Sequence, residues 1–109
     1  MNNTKLLNLG YVVIDAKALE RVIKSHKVKE IHIDTKTEKD FLLCRSIVTS
    51  PIIAFDNDYF TVKKRDYFQT MIVDAPLLNC FFKCYENNYE FIFYYENVKF
   101  KAFCIVESK

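Results

Sequence analysis

Cys80 and Cys84 stand four residues apart, and with His26 and His32 they are the side chains best suited to hold a soft metal such as zinc. The spacing lacks the paired short knuckles of a structural zinc site, and Cys44 and Cys104 are remote in sequence. No metal centre is expected, and all four thiols read as small buried hydrophobes in a reducing setting. His32 and Asp34 alternate around Ile33, so a strand would present both on one face. A histidine beside a carboxylate can move protons, yet no nucleophile or second acid is tied to the pair by a motif. Asp56-Asn57-Asp58 resembles the opening of a calcium loop, but the glycine and closing glutamate are missing, and a solvated turn is expected. The single glycine, Gly10, excludes glycine-rich phosphate loops. The chain is therefore read as a binding protein rather than an enzyme, with no cofactor.

Two surfaces suit binding. Lys63-Lys64-Arg65 is bracketed by Tyr59, Phe60, Tyr67 and Phe68, a mixture that can contact phosphates and stack on bases. Lys24, His26, Lys27 and Lys29 form a second basic patch. A net charge of +2 is too small to argue for nucleic acid by itself, and basic turns also protect sheet edges from aggregation. The other surface is the outward face of the last hairpin. There Ile92, Tyr94 and Phe103 interleave with Glu90, Lys99 and Lys101, as on a protein-binding surface, unless a helix covers them.

That hairpin is the clearest element. Tyr89–Tyr95 and Val98–Glu107 are rich in aromatic and β-branched residues and flank Glu96-Asn97. A two-residue loop sets Tyr95 opposite Val98, Phe93 opposite Phe100, Phe91 opposite Ala102 and Tyr89 opposite Cys104, all on one apolar face. A slip by one residue would place Lys99 and Lys101 among the aromatics. An isolated hairpin is marginal in water, so other elements must cover this face.

Met1–Lys5 reads as polar and frayed. Tyr11–Ile14 reads as a strand, and Asp15 as the N-cap of a helix carrying Leu19, Val22 and Ile23 that ends near Ser25-His26. Val28–Ile33 follows as a strand, completing a β-α-β unit that could be parallel. Thr37 is expected to cap a short helix over Phe41, Leu42, Cys44, Ile47 and Val48, stopped before Pro51, although the segment is also compatible with a strand. Ile52–Phe55, Tyr59–Lys63 and Tyr67–Val73 read as a three-stranded meander. Asp74-Ala75-Pro76 reads as a helix start, with Leu77, Leu78, Phe81, Phe82 and Tyr85 as its apolar stripe and Asn87-Asn88 as its end. This helix is expected to lie across the final hairpin.

The 109 residues fit one domain, residues 1–109, of α+β class. The expected order is β-α-β-α-βββ-α-ββ, a mostly antiparallel sheet with two or three helices packed on it. Leu6–Ile14 lacks the pattern of a secretory signal and no run reaches membrane-spanning length, so a cytoplasmic setting without a membrane partner is expected. The functional expectation is a small inhibitor or immunity-type protein that neutralises a partner protein such as a toxin or nuclease. The alternative is a small nucleic-acid-binding accessory protein using Lys63, Lys64 and Arg65.

Overall fold

In the computed structural model, which describes residues 3–107, the final hairpin has the register its alternation dictates. β8 (Asn88–Tyr95) and β9 (Val98–Glu107) pair Tyr95 with Val98, Phe93 with Phe100, Phe91 with Ala102 and Tyr89 with Cys104. The turn needs two left-handed residues, and Glu96 and Asn97 supply them with φ of 51° and 63°. Glutamate accepts that conformation because the flanking apolar pairs fix the register regardless. Phe93 stacks on Phe100 with ring centroids 4.8 Å apart.

Both sides of the hairpin are extended by antiparallel strands. β7 (Cys80–Cys84) pairs with β8, and the short β1 (Val12–Ile14) pairs with β7. On the other side β2 (Lys27–Lys36) pairs with β9, and β3 (Leu42–Thr49) pairs with β2. The six-stranded order is β1-β7-β8-β9-β2-β3. The opening β-α-β unit is therefore not a parallel pair. Its two strands are separated by β7, β8 and β9, about 19 Å at the usual strand spacing. α2 (Ala16–Lys24) carries the chain across that gap. Asp15 caps it as its sequence requires, the carboxylate accepting from the Ala18 N–H at 2.7 Å, and Leu19 and Ile23 are buried beneath it.

The face carrying Tyr89, Phe91, Phe93, Ala102 and Cys104 is covered by α2 and by a second sheet, β4 (Ile52–Asp56), β5 (Tyr59–Lys63) and β6 (Met71–Pro76). Phe60 of β5 meets Phe91 and Phe93 edge-on, at 5.3 and 6.1 Å between centroids. The expected meander exists, but its third strand starts at Met71, and Tyr67 and Phe68 lie in the loop before it.

Two expected helices are strands. The segment from Thr37 turns instead of coiling: the Phe41 N–H donates to the Thr37 hydroxyl at 3.1 Å, Asp40 takes φ 66°, and β3 follows as the return strand of a hairpin. β-Branched Ile47-Val48-Thr49 suits that strand, and Val48 is buried opposite Ile31. Further on, Pro76 ends the edge strand β6, where its missing N–H breaks no ladder. No helix follows it. Phe81 and Phe82 are adjacent on β7 and point to opposite faces, Phe82 to the main core and Phe81 to a smaller cluster. That smaller cluster exists because α1 (Asn3–Asn8), which begins within the segment Met1–Lys5 expected to be frayed, packs Leu6 with Tyr11 over Phe81 and Ile92. Met1 and Asn2 lie outside the described residues. The result is one compact domain of mostly antiparallel sheet with two helices among the described residues, fewer and elsewhere than the α+β reading places them.

Candidate functional site

The outer face of the six-stranded sheet is a lattice whose rows follow from the strand registers. One row runs Phe81, Ile92, Lys101, Asp34, Arg45, and the next Lys83, Glu90, Phe103, His32, Ile47. A third runs Tyr94, Lys99, Lys36, Leu42. The predicted residues Ile92, Tyr94, Lys99, Lys101 and Phe103 do share this face, but their environments differ. Ile92 is buried under α1 with Leu6 and Tyr11, so it offers no contact surface. Tyr94 packs beside the same cluster, and Lys99, Lys101 and Phe103 are half-buried. The covering helix and the open surface, alternatives on the sequence alone, divide the face between them.

The charges on the open part, Lys36 aside, are paired with one another. Arg45 donates to Asp34 through Nε at 2.8 Å and Nη2 at 3.1 Å. This bond holds the Asp34 carboxyl below the usual carboxylate range, against the opposing effect of its burial. Lys99 Nζ lies 3.2 Å from Asp40 and lowers that carboxyl likewise. Lys101 Nζ lies 3.5 Å from Glu90, which is itself buried and accepts from the Tyr11 hydroxyl. His32 and Asp34 share the face but do not pair: His32 Nε2 meets Glu30 Oε1, and Asp34 is held by Arg45. His32, Asp34, Arg45, Ile47, Lys101 and Phe103 line a groove of about 290 Å³.

What remains uncommitted is, apart from Lys36, apolar. β3 is an outer strand of the sheet, with one side of its backbone unpaired. Ile47 is 56% exposed, Phe41 at the hairpin apex is 69% exposed, and Leu42 and Leu43 lie open between them. A helix over this segment would have put Phe41, Leu42 and Ile47 on its buried stripe. The β-branched residues that close the run point to the strand, but not to its standing at an edge.

The cysteines also divide. Cys80 and Cys104 are buried, and burial pushes both thiols up to about 12. Cys44 and Cys84 are exposed, contrary to the expectation that all four are buried. Cys80 and Cys84 sit on one strand with Cα atoms about 13 Å apart, too far for a shared ion. Among the described residues no three of His, Cys, Asp and Glu gather as a metal site. A maleimide at neutral pH is expected to label Cys44 and Cys84 in the folded protein and all four cysteines after denaturation. Adducts counted by intact mass test this, and native labelling of Cys80 or Cys104 would contradict the buried assignment.

Lys63, Lys64 and Arg65 lie at the end of β5 and the start of its loop to β6. The Lys64 N–H donates to the Thr70 carbonyl at 2.8 Å, and Arg65 Nε to the Ser50 carbonyl at 3.1 Å. Of the four aromatics that bracket them in sequence, Phe60 is buried and Tyr59 is at the far end of β5. Tyr67 and Phe68 follow the cations in sequence and are largely in solvent. No described helix is long and apolar enough to cross a membrane. Comparison with known proteins finds no match: no family model fits the chain, and no curated protein or solved structure is significantly similar to it.

Proposed function

We propose that this chain is a small protein-binding domain of the inhibitor or immunity type, neutralising a partner protein by covering part of its surface. The observation that carries the reading is β3: eight residues long, at a sheet edge, carrying open Leu42, Leu43 and Ile47 and preceded by open Phe41. Its one charged side chain, Arg45, is tied to Asp34. Soluble proteins usually blunt such an edge with free charge, proline or a covering element, because it invites another strand. Here the flanking groove and the apolar apex give a partner side chains to contact as well as a backbone to pair with. The expected residues Lys99, Lys101 and Phe103 form the inner margin of this surface, and β3 supplies its centre.

Tagged protein is used to capture a partner from the source cell's lysate, with washes at low and high salt. One stoichiometric partner that survives high salt is expected from the wild type. Ile47→Lys places a charge on the exposed face of β3 and is expected to weaken binding to the purified partner by about 30-fold or more, the scale of an interface hot spot. Adding the wild-type chain should suppress the partner's own activity, and Ile47→Lys should suppress it far less. Equal binding by both chains would remove β3 from the interface, and a bound partner left fully active would remove the inhibitor reading.

A further inference from the structure

The two basic patches that the sequence keeps about forty residues apart meet in one cleft. It lies where the end of α2 faces the connection from β3 to β4, has a volume of about 510 Å³, and is bordered by Lys24, His26, Lys27 and Arg65 with no carboxylate in its lining. Its floor is apolar, from Ile23, Val28 and the Pro51-Ile52 stretch. Arg65 is oriented by its Nε bond to the Ser50 carbonyl, and its terminal nitrogens have no partner among the described residues. Lys24 and Lys27 are tied only at the surface, to Glu20 at 2.7 Å and Glu107 at 3.8 Å, contacts that a stronger anion readily displaces. His26 is held by the Val22 carbonyl and the Ser25 hydroxyl at the end of α2.

Beside the cleft the chain displays two aromatic rings for which the fold has no use. Tyr67 is 94% exposed and Phe68 83% exposed, packed edge to face at 5.2 Å. They begin two residues after Arg65, within about 7 Å of backbone. Their loop is closed: the Asp66 carboxylate accepts from the Thr70 N–H at 3.1 Å and the Thr70 hydroxyl at 3.0 Å, and the Lys64 N–H donates to the Thr70 carbonyl. Asp66, the acid nearest to the rings, is thereby consumed inside the loop. Surface rings on a hydrogen-bonded loop next to cations that are paired only at the surface match the recognition of a strand that offers both phosphates and flat bases.

We propose that the cleft and the Tyr67-Phe68 loop bind single-stranded nucleic acid, with phosphates along Lys27, Lys24 and Arg65 and bases stacked on Tyr67 and Phe68. An acidic peptide would satisfy the cations but would leave the two rings unused. This site is at the opposite end of β3 from the Phe41 apex, about 25 Å along the strand, and is independent of the proposed protein-docking surface.

Fluorescence anisotropy with labelled twelve-residue oligo-dT and oligo-U, at 50 and 200 mM salt, tests the proposal. Binding is expected at low salt and is expected to weaken as salt rises, because phosphate contacts release counterions. Tyr67→Ala and Phe68→Ala should each weaken binding by about tenfold with the salt slope unchanged, since stacking carries no charge. Lys24→Ala with Lys27→Ala should weaken binding and flatten the slope by about 0.7 for each phosphate that is no longer neutralised. All four positions are at the surface, so thermal melts should match the wild type. Ile47→Lys should bind the oligonucleotides normally, which separates this site from the protein-binding reading. The proposal is overturned if neither oligonucleotide binds at low salt, or if the ring variants bind as well as the wild type. It is equally overturned if polyglutamate displaces the strand at equal charge concentration, which would assign the cleft to acidic peptides.

Discussion

Phe60→Ala is expected to cost about 3–5 kcal/mol of folding stability. Phe60 is fully buried at the centre of the three-stranded sheet. Its ring meets Phe91 and Phe93 edge-on and lies 5.3 Å from Phe55. It is the side chain through which one sheet grips the aromatic face of the other, and the backbones on either side are held by ladders that cannot collapse into the space it leaves. A domain of this size has about 5–15 kcal/mol in hand, so the variant loses about a fifth of that or more and melts about 15 °C lower. Urea unfolding followed by circular dichroism measures the loss. Phe55→Ala is the comparison, because Phe55 is only half-buried and should cost clearly less. A Phe60→Ala loss under about 1 kcal/mol would mean that the two sheets are held together by other contacts.

How much of this is legible in the sequence depends on whether one local rule has a competitor. The final hairpin has none: a two-residue loop and a strict apolar alternation allow one register, and Glu96 accepts a left-handed backbone to keep it. The helix after Asp15 is equally plain, because its cap and its Leu19–Ile23 stripe agree. Leu77, Leu78, Phe81, Phe82 and Tyr85 match a helical stripe just as well, yet the segment is extended. Adjacent Phe81 and Phe82 can both pack on a strand, Phe81 buried and Phe82 partly so, when both sheet faces are covered, and the second cover is α1, more than seventy residues earlier. No local pattern carries that information. The same holds for the candidate surfaces. That Lys99, Lys101 and Phe103 share a face follows from alternation, whereas the cover over Ile92, the open edge of β3 and the meeting of Lys24 and Lys27 with Arg65 are set by packing between distant segments.

Lys101→Met is expected to destabilise the fold by about 3 kcal/mol, although Lys101 belongs by position to the candidate docking face. Its partner explains why. Glu90 is 5% exposed, on the outer face beside the α1 cluster, with the Tyr11 hydroxyl donating to one oxygen and Lys101 Nζ 3.5 Å from the other. Removing the cation leaves a buried carboxylate with a single hydroxyl for a partner, and that cost exceeds the value of the ion pair itself. Glu90→Leu with Lys101→Met and Tyr11→Phe removes the charges and the hydroxyl together and should regain most of the loss, whereas independent sites would show additive losses. Urea midpoints for the single, double and triple variants measure the coupling. The contrast is Lys99, whose partner Asp40 is 59% exposed: Lys99→Met should change stability by less than about 1 kcal/mol. Weakened partner binding in Lys99→Met would therefore mean that Lys99 itself touches the partner, and the same weakening in Lys101→Met would reflect a disturbed sheet. If Lys101→Met instead unfolds at the wild-type urea concentration, Glu90 does not depend on it, and the Lys101 ammonium is free to meet a partner's carboxylate.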